Sequence, residues 1–484
     1  MDTERQLLTQ LSRRAFDLYA MSLPHGPNYG DDELVSAWES GRTSQVGAVF
    51  CSPSGIFSIV ALHRRVDHCF VVKAQGGSFA TQEEAFSQLK AALELGKPPE
   101  PLPSGERRRP SLFDTGPRTP GATFRLLTDS PLRWAAANTV AELYFALPKP
   151  DPNFASDMQT ANFDSRLWEL YLFACFREQG ILVSQDVPSP DFKLTSGSLQ
   201  GYVEAVTANP ELRPDGLPEL QRAPEDKVDR MAGDAAAKFA RTLRSKIQKS
   251  YHDKPHVRGL PFAIALADFH GGGSMVWSRE ALPTYLYGKM AMVKENENGK
   301  YATGVPIETL RGHSRIKAGL FNDPEVKGLS AVVFSNAATI AKFNRMGLLA
   351  GLAVPGVKLR RSGILFDRTP GALEPIDFDL DIESPEYANL WPGGEAWCLE
   401  LEVFHNPNAE HPFPFDLLPG ATHWFEHDGD VICRTIWEHT VLASMTTIVA
   451  PKELHRWPAE EALKEASEKA CADDDSDAGN DEKA

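Results

Sequence analysis

Apolar and polar positions along the chain switch repeatedly between a two-residue and a near-four-residue spacing. Between residues 44 and 97, "GAVFCS", "FSIVALHRRV" and "HCFVVKA" have strand character, the middle one alternating weakly. "ATQEEAFSQLKAALELG" predicts a helix with Thr81 and Glu84 as a capping box and Ala85, Leu89, Ala92 and Leu93 as its apolar stripe. Pro, Gly and Arg then crowd residues 97 to 121 without periodicity, which predicts a linker or long surface loop. From 122 to about 290, helical and strand patterns alternate as in an α/β core. "NFDSRLWELYLFACFREQG" is a helix capped by Asn162 or Asp164 and stopped at Gly180. Two strands joined by "SGSLQG" follow, then one long helix, "DRMAGDAAAKFARTLRSKIQKSYHD", and a buried strand, "LPFAIALADF". Further strands ("LSAVVFSN", "WCLELEVF", "DVICRTIW") and a helix ("AATIAKFNRMG") fill the region from 300 to 450.

These patterns divide the 484 residues into a small α+β domain (1–97), a linker (98–121), an α/β core (122–290), a β-rich extension (291–458) and an acidic tail (459–484). A chain of this length exceeds what one hydrophobic core usually fills. Composition is that of a globular protein, with 42% apolar and 24% charged residues. Part of the formal charge of −16 sits at one end: from Ala459 onward ten acids face three lysines, which leaves −9 for the body. "ADDDSDAGNDEKA" has no residue large enough to build a core, which predicts a disordered, solvating tail. The acidic body disfavours nonspecific duplex binding but allows a local basic cleft. Six scattered cysteines without a CxxC pair argue against a zinc ribbon or a disulfide scaffold. With no targeting segment or membrane-length apolar run in view, the expectation is a cytoplasmic, reduced protein.

Carboxylates stand where a packed layer prefers apolar groups. In "YVEAVTA" Glu204 and Val206 share one strand face. Asp191 begins the preceding strand, and a hairpin of the right register brings it beside Glu204. Two adjacent carboxylates repel, and one stays protonated unless a cation lies between them. A hard divalent cation, Mg²⁺ above all, resolves this. Glu169 sits on a helix that is apolar nearly all round and needs a partner there. Each acid also has an ordinary explanation: Asp191 as a turn residue after Pro190, Glu204 as an edge-strand charge facing water, Glu169 as an intrahelical pair with Arg166.

Taken together, "E169…P190-D191…E204-A205-V206" in helix–strand–strand–helix–strand order resembles the PD-(D/E)xK nuclease superfamily, over roughly a quarter of the chain. The resemblance implies a restriction-endonuclease-like core and a divalent-metal-dependent nuclease hydrolysing phosphodiester bonds of DNA or RNA, with Mg²⁺ or Mn²⁺ as cofactor. It implies that Asp191, Glu204 and the Ala205 carbonyl hold the metal, with Glu169 ligating through water or a second ion. The chain departs from the pattern at Val206, where the superfamily carries lysine. On the second helix Ala236, Phe239, Ala240, Leu243 and Ile247 define the inward stripe, and Lys246 falls beside it. Lys246 is the expected substitute, Lys193 the reserve, and a snorkelling side chain the plain alternative for Lys246. If the chemistry has been lost with the lysine, the core is a catalytically inactive, nuclease-like protein that binds nucleic acid or a partner protein.

Other features carry less. His405, His411, His423 and His427 fall in one Pro- and Asn-rich region, where imidazoles suit zinc or iron but the spacing fits no zincin helix. Lys342, Arg345, Lys358, Arg360 and Arg361 suggest a phosphate-contacting face, or simply a solvated helix surface. "SAVVFSNAATIAKFNRMG" and "FHNPNAEHP" resemble segments of bacterial proteins, with no activity implied. There is no GxSxG, GxxxxGK[ST] or strand-following GxGxxG. "FHGGGSMVW" is a glycine turn at a strand end that can let a ligand approach closely.

Overall fold

Five strands open the fold as an antiparallel meander in chain order: β1 (Thr9–Leu11), β2 (Glu33–Ser40), β3 (Gln45–Cys51), β4 (Phe57–Arg64) and β5 (Phe70–Phe79). The structure is a computed structural model and describes residues 8–41, 44–93, 99–297 and 299–455, so the acidic tail predicted from 459 lies outside the described residues. Two of the five strands were not legible, because β2 ("ELVSAWES") intersperses Glu and Ser among its apolar positions. Helix α1 (Arg13–Ala20) covers one face of this sheet with Phe16 and Tyr19. Helix α2 (Gln82–Ala92) covers the other with Ala85 and Leu89. Thr81 accepts the Glu84 N–H at 3.2 Å as predicted, while the Glu84 carboxylate takes the Ala80 N–H, one residue ahead of the reciprocal cap. Residues 99–121 form no helix or strand, only an isolated bridge from Glu100 to Arg65.

Helices α3 (Ala122–Thr128), α4 (Trp134–Ala146), α5 (Phe154–Gln159) and α6 (Phe163–Glu178) lead into the central sheet. Its first strands are β6 (Leu182–Ser184), β7 (Phe192–Ser196) and β8 (Leu199–Ala208), an antiparallel meander. The short β6 adds a third strand where the sequence suggested two. The long helix predicted next is broken at Gly233 into α7 (Lys227–Ala232) and α8 (Asp234–Ile247). A side chain at Gly233 would collide with the Asp229 carbonyl. Strand β9 (Phe262–Asp268) then returns parallel to β8, buried at every position.

The remaining elements extend the same body. After α9 (Ala281–Tyr287) come the ribbon β10 (Lys289–Asn296) with β11 (Gly299–Pro306), and the short pair β12 (Thr309–Leu310) with β13 (His313–Lys317). Strand β14 (Ala331–Ser335) joins β9 in parallel, followed by α10 (Ile340–Leu349). Strands β15 (Lys358–Asp367) and β16 (Pro375–Asp381), helix α11 (Pro385–Ala388), then β17 (Glu402–His405), β18 (Thr422–His427), β19 (Asp430–Arg434) and β20 (His439–Val449) complete it. The central sheet has eight strands in the order β19-β18-β17-β14-β9-β8-β7-β6, and β16-β15-β20 form a separate sheet. With 29% helix and 31% strand among the described residues, the fold is mixed α/β. Strand alternation decides which helix meets which face: Val203, Ala263, Ala265 and Val333 pack with α4, α6 and α10. Tyr202, Ile264, Leu266 and Val332 pack with α8 and α9 on the other side. Among the described residues no helix is long and apolar enough to cross a membrane.

Candidate active site

The two-residue turn Gly197–Ser198, with Gly197 at φ +56°, joins Ser196 to Leu199 and fixes the register of β7 against β8. Phe192 pairs with Val203, so Asp191 falls opposite Glu204 and on the same face. Pairing with β7 ends there, while β8 runs on to Ala208 with only β9 beside it. The Ala205 N–H points to the side β7 has left, and the Asp191 carboxylate accepts it through Oδ2 at 2.7 Å. A strand residue turns its N–H and C=O to the same neighbour. The Ala205 carbonyl therefore faces the same gap.

Glu204 lies on the α8 side with its side chain 5% exposed. Its Oε1 accepts from Lys246 Nζ at 2.6 Å and from the Tyr251 hydroxyl at 2.7 Å. Its Oε2 is buried and has no hydrogen-bond partner among the described residues. Lys246 occupies the last turn of α8, and Ser250, in the left-handed region at φ 48°, turns the chain so that Tyr251 reaches back to the same oxygen. Lys246, rather than Lys193, makes the contact; it does not snorkel to solvent. Tyr251 was not legible in advance, since the turn that aims it has no periodic signature.

Glu169 reaches the cluster from α6, on the opposite face of the sheet. It is close enough to Asp191 for the two charges to oppose each other, and Arg166 NH1 donates to both its oxygens at 2.9 and 3.2 Å. Arg166 is also held by Asp157. The intrahelical pair anticipated as the plain explanation for Glu169 is thus present, alongside its approach to Asp191. One turn earlier on α6, the Ser165 hydroxyl meets that of Thr207 at 3.0 Å. Burial, then the charge of Asp191, pushes the Glu169 carboxyl up to about 8 against the pull of Arg166. Burial, then Glu204, pushes Asp191 up to about 6, with the Ala205 N–H and Lys246 opposing.

The four predicted residues therefore gather at one place, with differing engagement. Glu204 and Lys246 are bonded to each other, Asp191 is held by the Ala205 N–H within reach of both their charges, and Glu169 adjoins Asp191 but is bonded to Arg166. Among the described residues no three His, Cys, Asp or Glu side chains form a metal-ligand set as they stand, although Asp191 feels the charge of both Glu169 and Glu204. The donor set of Asp191, the orphaned Glu204 Oε2 and the Ala205 carbonyl nonetheless suits a hard, oxygen-seeking cation.

The other sequence candidates resolve differently. Lys342, Arg345 and Arg361 are not a phosphate-contacting or solvated face: all three are buried around Glu395 and Glu400, leaving only Lys358 and Arg360 exposed. His405 Nε2 and His423 Nδ1 lie 2.8 Å apart, and His423 Nε2 meets the Leu418 carbonyl at 2.9 Å. The imidazoles are thereby spent on one another, and His427 is 65% exposed in its side chain. The glycine turn after β9 receives the chain's own residues: Gln221 donates to Gly272 and Gly272 to Glu219, both at 2.8 Å. No protein-family model, curated protein or solved structure matches this chain.

Proposed function

We propose that this chain is a divalent-metal-dependent nuclease with a PD-(D/E)xK-like core, hydrolysing phosphodiester bonds of DNA or RNA. The observation that carries the reading is Glu204: one oxygen is locked by Lys246 and Tyr251, and the other is buried without a partner among the described residues, in a carboxylate whose charge Asp191 feels. An orphaned buried carboxylate oxygen is costly, and a cation is the partner that suits it. The order of elements adds support, since α6, the meander β6–β7–β8, α8 and the parallel β9 place both acids where β7 and β8 part.

In this reading Asp191, Glu204 and the Ala205 carbonyl would hold Mg²⁺ or Mn²⁺, and Glu169 would be a further acid for the site once freed from Arg166. Such a cation supplies an acidified water and positive charge for a phosphate oxygen. Lys246 orients that water or offsets charge developing on the phosphate. Tyr251 helps fix Glu204 through Oε1, which leaves Oε2 free to serve as a ligand. Val206, on the strand position of the usual lysine, faces the α8 side, where Lys246 supplies the ammonium from the helix instead.

A second reading is favoured by the Arg166–Glu169 pair: a nuclease-like protein without catalysis that binds nucleic acid or a partner protein. Incubating the purified protein with Mg²⁺ or Mn²⁺ and end-labelled DNA and RNA separates the two. The nuclease reading expects cleavage that is abolished by EDTA and by Asp191→Ala. Cleavage indifferent to Asp191→Ala, or none with either metal, overturns it.

A further inference from the structure

The chain is acidic as a whole, at −16, yet residues 241–258 carry six basic side chains (Arg241, Arg244, Lys246, Lys249, Lys254 and Arg258) against a single acid, Asp253. This stretch is wrapped around the candidate active site. Lys246 and Tyr251 bind Glu204, while Lys254 Nζ and His256 Nε2 both meet the Ser189 carbonyl, two residues ahead of Asp191, at 3.3 and 3.0 Å. Arg244 is engaged by Asp323 at 2.8 Å. Lys249 and Arg258 are exposed, and Lys254 is half-buried. The α6 flank has the opposite character, with Asp151 exposed, Asp157 half-buried and Arg166 turned inward among acids. The rim of the site is therefore basic on one side and acidic on the other.

We propose that the segment from Lys246 to Arg258 is the docking surface for a phosphodiester chain, with Lys249, Lys254 and Arg258 contacting phosphates on the α8 side. This rests on the nuclease reading and adds to it the side from which the polyanion enters. Phosphates draw affinity from lysines and arginines whose counterions they displace, and are repelled by the carboxylates of the α6 flank. The contacts go to the backbone, so the surface by itself reads no base sequence.

The test is fluorescence anisotropy in EDTA with labelled single-stranded and duplex DNA and RNA of equal length, over a range of salt. The full-length protein is compared with Lys249→Glu/Arg258→Glu and with Arg107→Glu/Arg108→Glu, which changes net charge equally at exposed positions of the 99–121 segment. Circular dichroism verifies that each variant folds. Expected is a loss of at least about tenfold in affinity for the first pair, with a salt slope lower by about two, and under about threefold for the second. Restored binding in Lys249→Arg/Arg258→Lys supports a charge contact. Equal losses in both pairs, or none in the first, overturn the docking surface and leave Asp191-dependent cleavage standing. Wild-type protein that neither binds nor cleaves any of the four probes overturns both readings.

Discussion

Among the described residues Glu204 has two donors on one oxygen and none on the other, and its neighbours set what each substitution costs. In Lys246→Met a buried carboxylate keeps only the Tyr251 hydroxyl. Because Lys246 retains 20% exposure, the loss is set below that of a fully buried pair, at about 2–3 kcal/mol in urea unfolding at pH 7. Tyr251→Phe keeps the ring packing and removes one charge-assisted bond. Unfolding should show a cost of about 1–2 kcal/mol, and on the proposed nuclease reading metal-dependent cleavage should fall without vanishing, in contrast to the abolition expected for Asp191→Ala. Glu169 and Asp191 give a pH signature of known sign. Their folded carboxyls are raised to about 8 and about 6, above ordinary unfolded values near 4. The folded state therefore holds protons that the unfolded state releases, and their contribution is full below about pH 4 and lost as pH rises toward 6 and 8. Urea titrations at pH 5 and pH 8 should show Glu169→Gln flattening this decline. An unchanged pH dependence in that variant would contradict the raised carboxyl.

At the scale of elements, two packed contacts decide geometry more than propensity does. Helix α10 crosses α4 at Gly347, where a side chain would collide with the Ala135 carbonyl and Thr139. Gly347→Ala should cost about 1–3 kcal/mol by chemical denaturation, although alanine favours helix. Between β17 and β18, His405 and His423 are neutral and linked, held by burial down to about 3 and about 4. Arg434 beside His423 also opposes a charge there, while Asp416 favours one. Their folded pKa values lie below the ordinary 6.5, so the unfolded state binds the extra protons. Stability from this pair is present above about pH 6.5 and lost as pH falls toward 4. His405→Phe, which keeps the packing against Phe415, should remove part of the acid limb in thermal melts between pH 4 and 7 while leaving the alkaline side alone.

Across the whole molecule, the buried ion cluster ties α10, β15 and the segment before β17 together. Glu395 receives Lys342 at 2.7 Å, Arg345 at 2.8 Å and the Tyr387 hydroxyl at 2.5 Å, and Arg361 reaches Glu400 at 2.6 Å. Arg345 and Arg361 continue to Thr446 and Ser444 on β20. Three cations share two carboxylates here, so removing a carboxylate costs more than removing a cation. Glu395→Gln should destabilise by about 3–5 kcal/mol, and Arg361→Met by less, as read from urea midpoints. Equal midpoint shifts in the two variants would count against the charge imbalance.

What the sequence determined by itself was local: the α6 and α8 stripes, the β7–β8 turn and the alternation that places Glu204 apart from Val203. Asp191, Glu204 and Lys246 were legible because a charge on an otherwise apolar pattern stands out within a few residues. Only the tertiary structure decided which partners those charges meet. Arg166 takes Glu169, Tyr251 joins Lys246 on one oxygen, and Lys342, Arg345 and Arg361 turn inward, because each depends on chain segments tens of residues apart. The same pattern that reads as a solvated face in sequence becomes a buried network once Glu395 and Glu400 arrive to neutralise it. Local spacing fixes the direction of a side chain; the free energy of burying its charge depends on what the fold brings opposite.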